Sequence, residues 1–299
     1  MIISQLPELF VQRERALLGP RFDAMFSYPG QGAVRGASVN ALRCTPQQFA
    51  ALADFPLEAS PFCASAFVVP QPDWKPGRHP YHHAGAFYAQ EPSASAPAAL
   101  LDVHPGMRVA DLCAAPGGKS CLMAEMMQGT GRVQAWELHP HRADLIAAQV
   151  QRLGLENVRP MTRDALKHRE ELDGTMDIVL LDAPCSGLGV MSEKPDVKYR
   201  VTAQSVDELV QLQSNLLDAV CPYVKKGGTL VYSTCSVLKD ENVRQAEKFL
   251  ARHPEFELLP LPETIPASVR QYETTGLQLL PQRDGIEGFY MCRMRRKKA

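Results

Sequence analysis

Two cysteines stand just beyond apolar stretches that are typical of buried strands. Cys185 follows the run at 177–181 and is preceded by Asp182, and Cys235 follows the run at 229–233. A buried cysteine is more often a packing residue than a reactive one, so neither cysteine alone would indicate chemistry. In an open parallel sheet, however, the carboxyl ends of neighbouring strands meet at one rim. The two thiols and the carboxylate are therefore predicted to converge on one reactive site, where a thiol could act as a nucleophile.

A glycine-containing loop follows the apolar run at 108–112 and opens a predicted helix. Small residues let the backbone approach a ligand closely, and the amides at the start of a helix face it. Glu137 ends the next predicted strand, where a carboxylate can accept both hydroxyls of a ribose. Together they predict a nucleoside-containing cofactor without choosing between a dinucleotide and S-adenosylmethionine, and a tight structural turn is the alternative. The loop residues are Cys113, Ala114, Ala115, Pro116, Gly117, Gly118 and Lys119.

Three further polar residues have both a functional and a structural interpretation. Asp164 follows the third predicted strand and could bind an adenine amino group, although an exposed turn explains it nearly as well. Arg142 starts the following helix and could line the site, or it could be a surface arginine. Lys119 could lower the pKa of a neighbouring thiol or hold the cofactor or the base, whereas a solvated lysine at a helix start is the simpler interpretation.

These residues need a scaffold in which strands and helices alternate. Such an alternation begins after residue 85 and is typical of βαβ units, so we predict an α/β fold with a mostly parallel sheet. Two late apolar runs are predicted to add antiparallel strands. The predicted strands are 108–112, 132–137, 158–161, 177–181 and 229–233; the helices are 119–127, 142–153, 206–219 and 241–251; and the late runs are 277–280 and 288–294.

Residues 1–84 are interpreted as a small separate N-terminal α+β module and residues 85–299 as the catalytic domain. The first part is irregular, with helical candidates at 7–18 and 45–52. The segment 71–80, with three prolines and a glycine, is predicted to be a linker or an exposed loop.

The composition is that of a globular protein, with 45% hydrophobic and 22% charged residues. This excludes disordered and collagen-like chains. The 32 basic and 33 acidic side chains give a net charge of −1, which argues against strong nonspecific attraction to nucleic acid but not against a local basic groove. Neither a signal peptide nor an apolar run of roughly 20 residues is visible, so a soluble, cytoplasmic protein is expected.

No metal site is expected from the sequence. The eight cysteines include no C-x-x-C pair and should be free thiols in a reducing compartment. His79, His82 and His83 lack further ligands at a suitable spacing and are interpreted as part of a structured loop.

The motifs resemble those of the S-adenosylmethionine-dependent RNA cytosine-C5 methyltransferases, the family of the bacterial ribosomal-RNA enzymes and the eukaryotic nucleolar Nop/Sun proteins. The resemblance spans about 35–294, and its most specific parts are 113–119, 182–187 and 234–236. The N-terminal module and the segment 79–82 resemble the bacterial F-type 16S rRNA branch. The resemblance implies a Rossmann-like class I methyltransferase fold, with a seven-stranded sheet and helices on both faces, plus an RNA-recognition module at the N-terminus.

The resemblance also implies residue roles. Cys235 would attack C6 of cytosine, Cys185 would assist release, and Asp182 would hydrogen-bond near N3 and the exocyclic amine. S-adenosylmethionine would be held by the loop 113–119, by Glu137 at the ribose, by Asp164 at the adenine and by Asp182 at the methionine end, with Arg142 lining the site. The implied reaction is methyl transfer to C5 of a cytosine, with 16S rRNA as the leading substrate and tRNA as the alternative.

RNA is the expected partner, either free or within a small ribosomal subunit, and the protein is expected to be a monomer without a membrane association.

Ser38 stands where an arginine is usual in the family, which would alter the grip on RNA. F-type relatives often continue into a further RNA-binding domain beyond the position of Ala299, so either the natural chain continues there or substrate choice rests on fewer surfaces. The candidate RNA contacts are Arg35, Arg43, Lys194, Lys198 and Arg200, whereas the basic segment Arg293, Arg295, Arg296, Lys297 and Lys298 is interpreted as a solvated chain end.

Two other functions remain open at this point. A nicotinamide-dependent oxidoreductase would use the same glycine loop and Glu137, but it leaves the paired cysteines unexplained. A noncatalytic RNA-binding assembly factor would retain the fold without turnover, and the intact Asp182, Cys185 and Cys235 speak against it.

Overall fold

A computed structural model describes residues 3–27, 34–71, 73–99, 101–263 and 275–298. Within these residues the chain forms two sheets surrounded by helices. The strands are β1 (Arg35–Val39), β2 (Glu58–Ala59), β3 (Ala66–Val69), β4 (Phe87–Ala89), β5 (Arg108–Asp111), β6 (Arg132–Glu137), β7 (Val158–Thr162), β8 (Met176–Asp182), β9 (Val224–Thr234), β10 (Phe256–Leu258), β11 (Leu277–Leu279) and β12 (Phe289–Arg296). The helices are α1 (Glu8–Leu18), α2 (Pro20–Phe26), α3 (Pro46–Leu52), α4 (Pro80–His83), α5 (Pro92–Ala99), α6 (Gly118–Met126), α7 (Pro140–Leu153), α8 (Val197–Arg200), α9 (Ala203–Val220), α10 (Val243–Arg252) and α11 (Pro281–Asp284).

The larger sheet confirms the predicted α/β fold. Its hydrogen-bonded order is β10-β12-β9-β8-β5-β6-β7, and the five strands from β9 to β7 are parallel to one another. The two late runs are antiparallel strands, as predicted, because β12 pairs with β9 and β11 pairs with β12. The expected count of seven strands is one too low: β11 lies off the seven-strand path and makes an eighth. The predicted helix at 241–251 begins at Val243 instead.

Helices cover both faces of this sheet, which explains why its central strands are apolar without interruption. Along β8, Ile178 and Leu180 pack into a cluster with α6 and α7, whereas Val179 and Leu181 pack into a cluster with α9 and α10. Side chains of a strand alternate between its two faces, so one apolar run supplies both cores. Its carboxyl end is thereby fixed between two packed layers.

The N-terminal part forms the smaller, antiparallel sheet, in the order β2-β3-β1-β4. Its core contains Phe49, Trp74 and Phe87. The ring centre of Phe87 lies 5.5 Å from that of Phe49 and 5.7 Å from that of Trp74. Strand β4 belongs to this sheet, so the sheet extends beyond the boundary expected after residue 84. Trp74 is buried in this core, so the predicted linker or exposed loop at 71–80 packs on the smaller sheet at this residue. Pro72 lies outside the described residues.

Helices α1 and α2 pack away from the smaller sheet. Phe10 and Phe22 lie in an apolar cluster with Leu188 and Leu238. These leucines belong to the loops that follow β8 and β9. The N-terminal helices therefore support the loops that carry the two cysteines. In the described part of the chain, no helix has the length and apolar character required to cross a membrane.

Candidate active site

The two cysteines lie in direct contact at the rim of the larger sheet. Strands β8 and β9 are parallel neighbours, with Asp182 paired in register to Ser233, so the loops after them start side by side. The sulfur atoms of Cys185 and Cys235 are 3.0 Å apart and share a hydrogen bond. That hydrogen bond, together with burial, raises the pKa of Cys185 well above its ordinary value. Cys185 is therefore a protonated thiol held against the sulfur of Cys235.

A lysine and a carboxylate flank the thiols. The Lys119 Nζ atom lies 2.7 Å from Asp182 Oδ2, and the Ser233 hydroxyl donates to Asp182 Oδ1 at 2.7 Å. Burial alone would lower the pKa of Lys119, but the charge of Asp182 and its hydrogen bond outweigh burial and raise it. The ammonium also lies 5.2 Å from the ring centre of Phe289. Lys119 is thus a fixed, largely buried positive charge rather than a solvated one.

The glycine loop joins β5 to α6. Gly117 precedes the helix with a φ of 107°, a left-handed conformation that favours glycine. A Cβ on Gly118 would lie 2.8 Å from Tyr88 Cε1, so the loop also needs a glycine there to pack against β4. At the end of β5, burial raises the pKa of Asp111 to about 7, and the Ser120 hydroxyl donates to this carboxyl group at 2.5 Å. The packing of Gly118 on Tyr88 and the hydrogen bond from Ser120 to Asp111 hold the loop in place.

Glu137 is buried at the end of β6, while Arg142 above it is half exposed. The guanidinium lies 3.4 Å from Glu137 Oε1 and donates to the carbonyl of Ala115 at 3.3 Å. Arg142 therefore bridges the carboxylate and the glycine loop. Asp164 lies after β7 and accepts a hydrogen bond from the backbone of Leu166 at 3.0 Å. Its second oxygen remains available at the cleft.

One cleft of ≈680 Å³ connects these groups. This volume lies within the range of small-molecule sites. Apolar side chains of Leu138 and Leu166 line the cleft next in sequence to Glu137 and Asp164, and the two thiols and Lys119 line it as well. Every predicted site residue except Gly117 lines it: Cys113, Ala114, Ala115, Pro116, Gly118, Lys119, Glu137, Arg142, Asp164, Asp182, Cys185 and Cys235.

The candidate RNA contacts are less uniform. Lys194 lines the cleft, whereas Arg43 packs on the backbone at Gly154. Arg35 lies 3.6 Å from Glu193, Arg200 lies 2.8 Å from Asp196, and the Lys198 ammonium lies over the exposed ring of Tyr199 at 4.9 Å. The structure therefore brings one of the five into the cleft and pairs the others with nearby groups.

The basic segment near the C-terminus is only partly the solvated end that was expected: Arg295, Lys297 and Lys298 are exposed, but the segment is part of the fold. Residues Arg293, Arg295 and Arg296 belong to β12, which pairs with β9 and β10. Arg296 donates to the carbonyls of Pro222 and Val224. Lys297 donates to the carbonyl of Pro254, and Lys298 packs near Gly227. The sequence interpretation missed this because a strand with outward-facing arginines reads as a charged tail.

The histidines at 79–83 have structural contacts. His79 Nε2 lies 2.8 Å from Asp54, and its Nδ1 accepts a hydrogen bond from the backbone of Tyr81 at the start of α4. All eight cysteines are free thiols. Among the described residues, no group of three or more His, Cys, Asp or Glu side chains is arranged to hold a metal ion.

Several residues of the site were not predicted. Ser233, Phe289 and Glu241 touch or support the reactive groups, and Glu91 and Glu287 line the cleft. Burial and the charge of Glu91 raise the pKa of Glu287 to about 8. The strand register could have identified Ser233 as the neighbour of Asp182. The others come from distant segments, and no local pattern marks them.

Comparison with known proteins identifies the family and a similar solved structure. The family model described as "16S rRNA methyltransferase RsmB/F" matches residues 98–295, and that of the "N-terminal domain of 16S rRNA methyltransferase RsmF" matches residues 6–92. A "Methyltransferase Homolog Protein" from Pyrococcus horikoshii has a similar structure, with a TM-score of 0.80, 27% identity, and coverage of 99% of this chain and 100% of that one.

Two curated bacterial relatives show the same affiliation. The "Probable ribosomal RNA small subunit methyltransferase B" of Bacillus subtilis is 41% identical over 74% of this chain and 50% of the relative. The "Ribosomal RNA small subunit methyltransferase F" of Cronobacter sakazakii is 33% identical over 97% of this chain and 63% of the relative. The chain thus spans about half to two thirds of the length of these relatives. From the match over most of its length, the chain belongs to the RsmB/F methyltransferase family.

Proposed function

We propose that the protein is an S-adenosylmethionine-dependent RNA (cytosine-C5)-methyltransferase whose substrate is 16S rRNA. The observation that carries the proposal is the contact of two thiols at 3.0 Å, facing a cleft large enough for nucleoside-containing ligands. The names of the relatives, which are small-subunit rRNA methyltransferases, support the choice of RNA. The reaction would take place in the cytoplasm, with a monomer acting on RNA or on a small ribosomal subunit and its N-terminal module gripping the RNA.

The cleft lining fits S-adenosylmethionine by its chemistry. The buried carboxylate of Glu137 suits the ribose hydroxyls, and the Asp164 carboxylate suits the adenine amine. The exposed leucines at 138 and 166 offer apolar contacts for the adenine ring. When bound, the cofactor supplies an electrophilic methyl group. The loop 113–119 and Asp182 would hold its methionine end.

Cytosine C5 is a poor nucleophile, and Cys235 makes it reactive. As the thiolate adds to C6, the electrons of the C5–C6 double bond move toward C4 and those of the C4–N3 double bond move to N3, which takes up one proton in place of the one that the Cys235 thiol has lost. Asp182 holds that proton at N3, because Lys119 and Ser233 fix both of its oxygens. The positive charge of Lys119 lies close to the attacking sulfur and attracts its negative charge. The ring is then an enamine with nucleophilic character at C5.

Release requires the reverse of the first bond formation. C5 would first take the methyl group, with S-adenosylhomocysteine as the other product. Transfer of the C5 proton to solvent then restores the C5–C6 double bond and expels the Cys235 sulfur from C6, and the proton taken up at N3 is lost to solvent as well. Cys185, held as a thiol at 3.0 Å, can donate its proton to the leaving sulfur. The raised pKa of Cys185 keeps it protonated until that step.

Substitution of the two cysteines should have different effects. Cys235→Ala is expected to abolish transfer of labelled methyl groups to RNA, because the neighbouring thiol, Cys185, is held in its protonated, unreactive form. Cys185→Ala should leave Cys235 bound to the base and yield a protein–RNA adduct on denaturing gels. Cys44→Ala, in the N-terminal module, is the matched control and should do neither. The two-thiol mechanism is wrong if neither site variant changes methyl transfer.

The substrate can be identified separately from the mechanism. Labelled transfer to naked 16S rRNA, to small ribosomal subunits and to bulk tRNA should favour one of the two rRNA forms. Bisulfite sequencing of RNA from a deletion strain should then show one 16S cytosine that loses protection. If a tRNA cytosine loses its protection instead, the substrate is tRNA and not rRNA. If no cytosine loses its protection, cytosine-C5 methylation is contradicted.

A further inference from the structure

One fully buried carboxylate joins the two cysteine loops from behind. Glu241 lies in the turn before α10 and is 0% exposed. Its Oε1 atom accepts a hydrogen bond from the backbone N–H of Ser186 at 2.8 Å, and its Oε2 atom accepts one from the Ser186 hydroxyl at 2.5 Å. The hydroxyl of Ser236 donates to the same Oε2 atom. These serines are the residues that directly follow Cys185 and Cys235.

Glu241 is itself fixed in place. The Gln213 amide donates both to Glu241 Oε1 at 3.0 Å and to the carbonyl of Pro184 at 2.9 Å. The Tyr232 hydroxyl donates to the Glu241 backbone carbonyl at 2.5 Å. The carboxylate is thus tied to α9, to β9 and to the segment before Cys185. Both oxygens of the Glu241 carboxylate accept hydrogen bonds, and a buried carboxylate satisfied in this way makes the local structure rigid.

We propose that Glu241 is a positioning residue that holds the two thiols at their working distance. It acts through Ser186 and Ser236, because it is buried behind the cleft and does not line it. A carboxylate suits this place because all its contacts are donors. An amide nitrogen in place of Oε1 would face two donors, the Ser186 N–H and the Gln213 amide. In place of Oε2 it would force the hydroxyls of Ser186 and Ser236 to turn and accept. Because it concerns the two cysteines, the inference rests on the proposed function.

Glu241 holds the two cysteine loops through different serines, so loss of each serine contact should have a different effect on the reaction. The Ser186 side holds the loop of Cys185, so its loss should slow release and let the RNA adduct accumulate. The Ser236 side holds the loop of Cys235, so its loss should slow formation of the adduct. Small displacements of reacting groups cost one to two orders of magnitude in rate.

The distance between the thiols can be tested without RNA. Phenylarsine oxide binds a close pair of thiols: two As–S bonds form, and the two thiol protons leave with the oxygen as water, without oxidation. Wild type should bind the reagent tightly through Cys185 and Cys235. Glu241→Gln should bind about tenfold more weakly, since a looser pair has a lower effective concentration. Glu247→Gln, an exposed glutamate on α10, is the matched control and should bind as wild type does.

Methyl-transfer kinetics complete the test. Glu241→Gln should lower kcat by about tenfold or more while the KM values for RNA and S-adenosylmethionine change by less than about twofold, because the cleft lining is intact. Ser186→Ala should accumulate the adduct and Ser236→Ala should not. These single-hydroxyl variants decide the question if Glu241→Gln does not fold.

The outcomes separate the two proposals. Unchanged arsenical binding in the variants, no binding by wild type, or a change confined to KM would overturn the role of Glu241. Weaker arsenical binding in Glu241→Gln, with no methyl transfer by wild type to any RNA, would support the positioning role of Glu241 and reject the proposed function.

Discussion

At the scale of single residues, the least expected feature is the burial of Lys119. Lysine at a helix start is ordinarily solvated, but here the ammonium is enclosed by a carboxylate and the face of an aromatic ring. The interaction with Asp182 maintains its positive charge in spite of burial, since the pKa of Lys119 is raised. A buried, permanently charged lysine next to Cys235 has an electrostatic effect that a solvated one would lack.

Removal of this charge should make Cys235 less reactive even without substrate. In a Cys185→Ala background, Lys119→Gln should slow alkylation of Cys235 by iodoacetamide at pH 7.5 by about fivefold to tenfold, because the thiolate loses a nearby cation. Mass spectrometry of the Cys235 peptide measures the rate. Lys248→Gln, on the exposed face of α10, should leave the rate unchanged. Equal rates in all variants would show that Lys119 serves Asp182 alone.

At the scale of elements, the sequence was sufficient for those strands and helices whose own residues determine them. The apolar runs of β5 and β8 and the turn after each predicted both the strands and the place where their ends meet. Long-range partners could not be predicted in this way. Ser186 and Glu241 are 55 positions apart, and their contact depends on how two loops fold over α9. The spacing in α1 likewise predicts a helix without indicating what it covers.

The buried face of α1 carries a carboxylate of its own. Glu14 is 0% exposed, its Oε1 atom lies 3.5 Å from Arg13 Nε, and neither of its oxygens accepts a hydrogen bond. Burial, reinforced by the charges of Asp240 and Glu241, raises its pKa from 4.5 to about 7. The unfolded chain ionises this group first as the pH rises. The folded state therefore loses stability between pH 4.5 and about pH 7 and is fully stabilised only below this range.

Replacement of the Glu14 carboxyl group by an amide should remove this pH-dependent loss of stability. Glu14→Gln should raise the free energy of unfolding at pH 8, relative to its effect at pH 4.5, by up to about 3 kcal/mol. Denaturant titrations at the two pH values measure the difference. Glu8→Gln is the control on the same helix, since Glu8 is exposed. A Glu14→Gln effect that is equal at both pH values would mean that Glu14 ionises normally in the folded protein.

At the scale of the whole molecule, the N-terminal module is joined to the larger sheet by buried hydrogen bonds. The Asn40 amide donates to the carbonyls of Gly85 and Leu153, at 3.0 and 2.9 Å. Gly85 has a φ of +70°, and a Cβ there would lie 2.2 Å from the carbonyl of Arg152. The change of composition near residue 85 suggested a boundary, but the chain makes one of its tightest contacts there. Composition marks where the pattern of elements changes, not where two parts separate.

Arg152 is the side chain through which α7 holds the module. Its Nη1 atom donates to the carbonyls of His82 and Phe87, at 2.6 and 3.0 Å, on the two sides of Gly85. Lysine keeps the charge but lacks the planar group that reaches both carbonyls while a second nitrogen bonds Gln149. Arg152→Lys should therefore cost about 1–2 kcal/mol of stability.

Hydrogen exchange can locate this loss. In Arg152→Lys, amides of β1, β3 and β4 should exchange faster than those of β5 and β8, because the module loosens while the larger sheet keeps its own core. The KM for RNA should rise and that for S-adenosylmethionine should stay unchanged. Arg159→Lys is the matched control, since Arg159 also donates to backbone carbonyls, but only those of Glu156 and Val158 beside it. Faster exchange spread evenly over both sheets would mean that the two parts unfold as one unit, and the module could then have no separate role in gripping RNA.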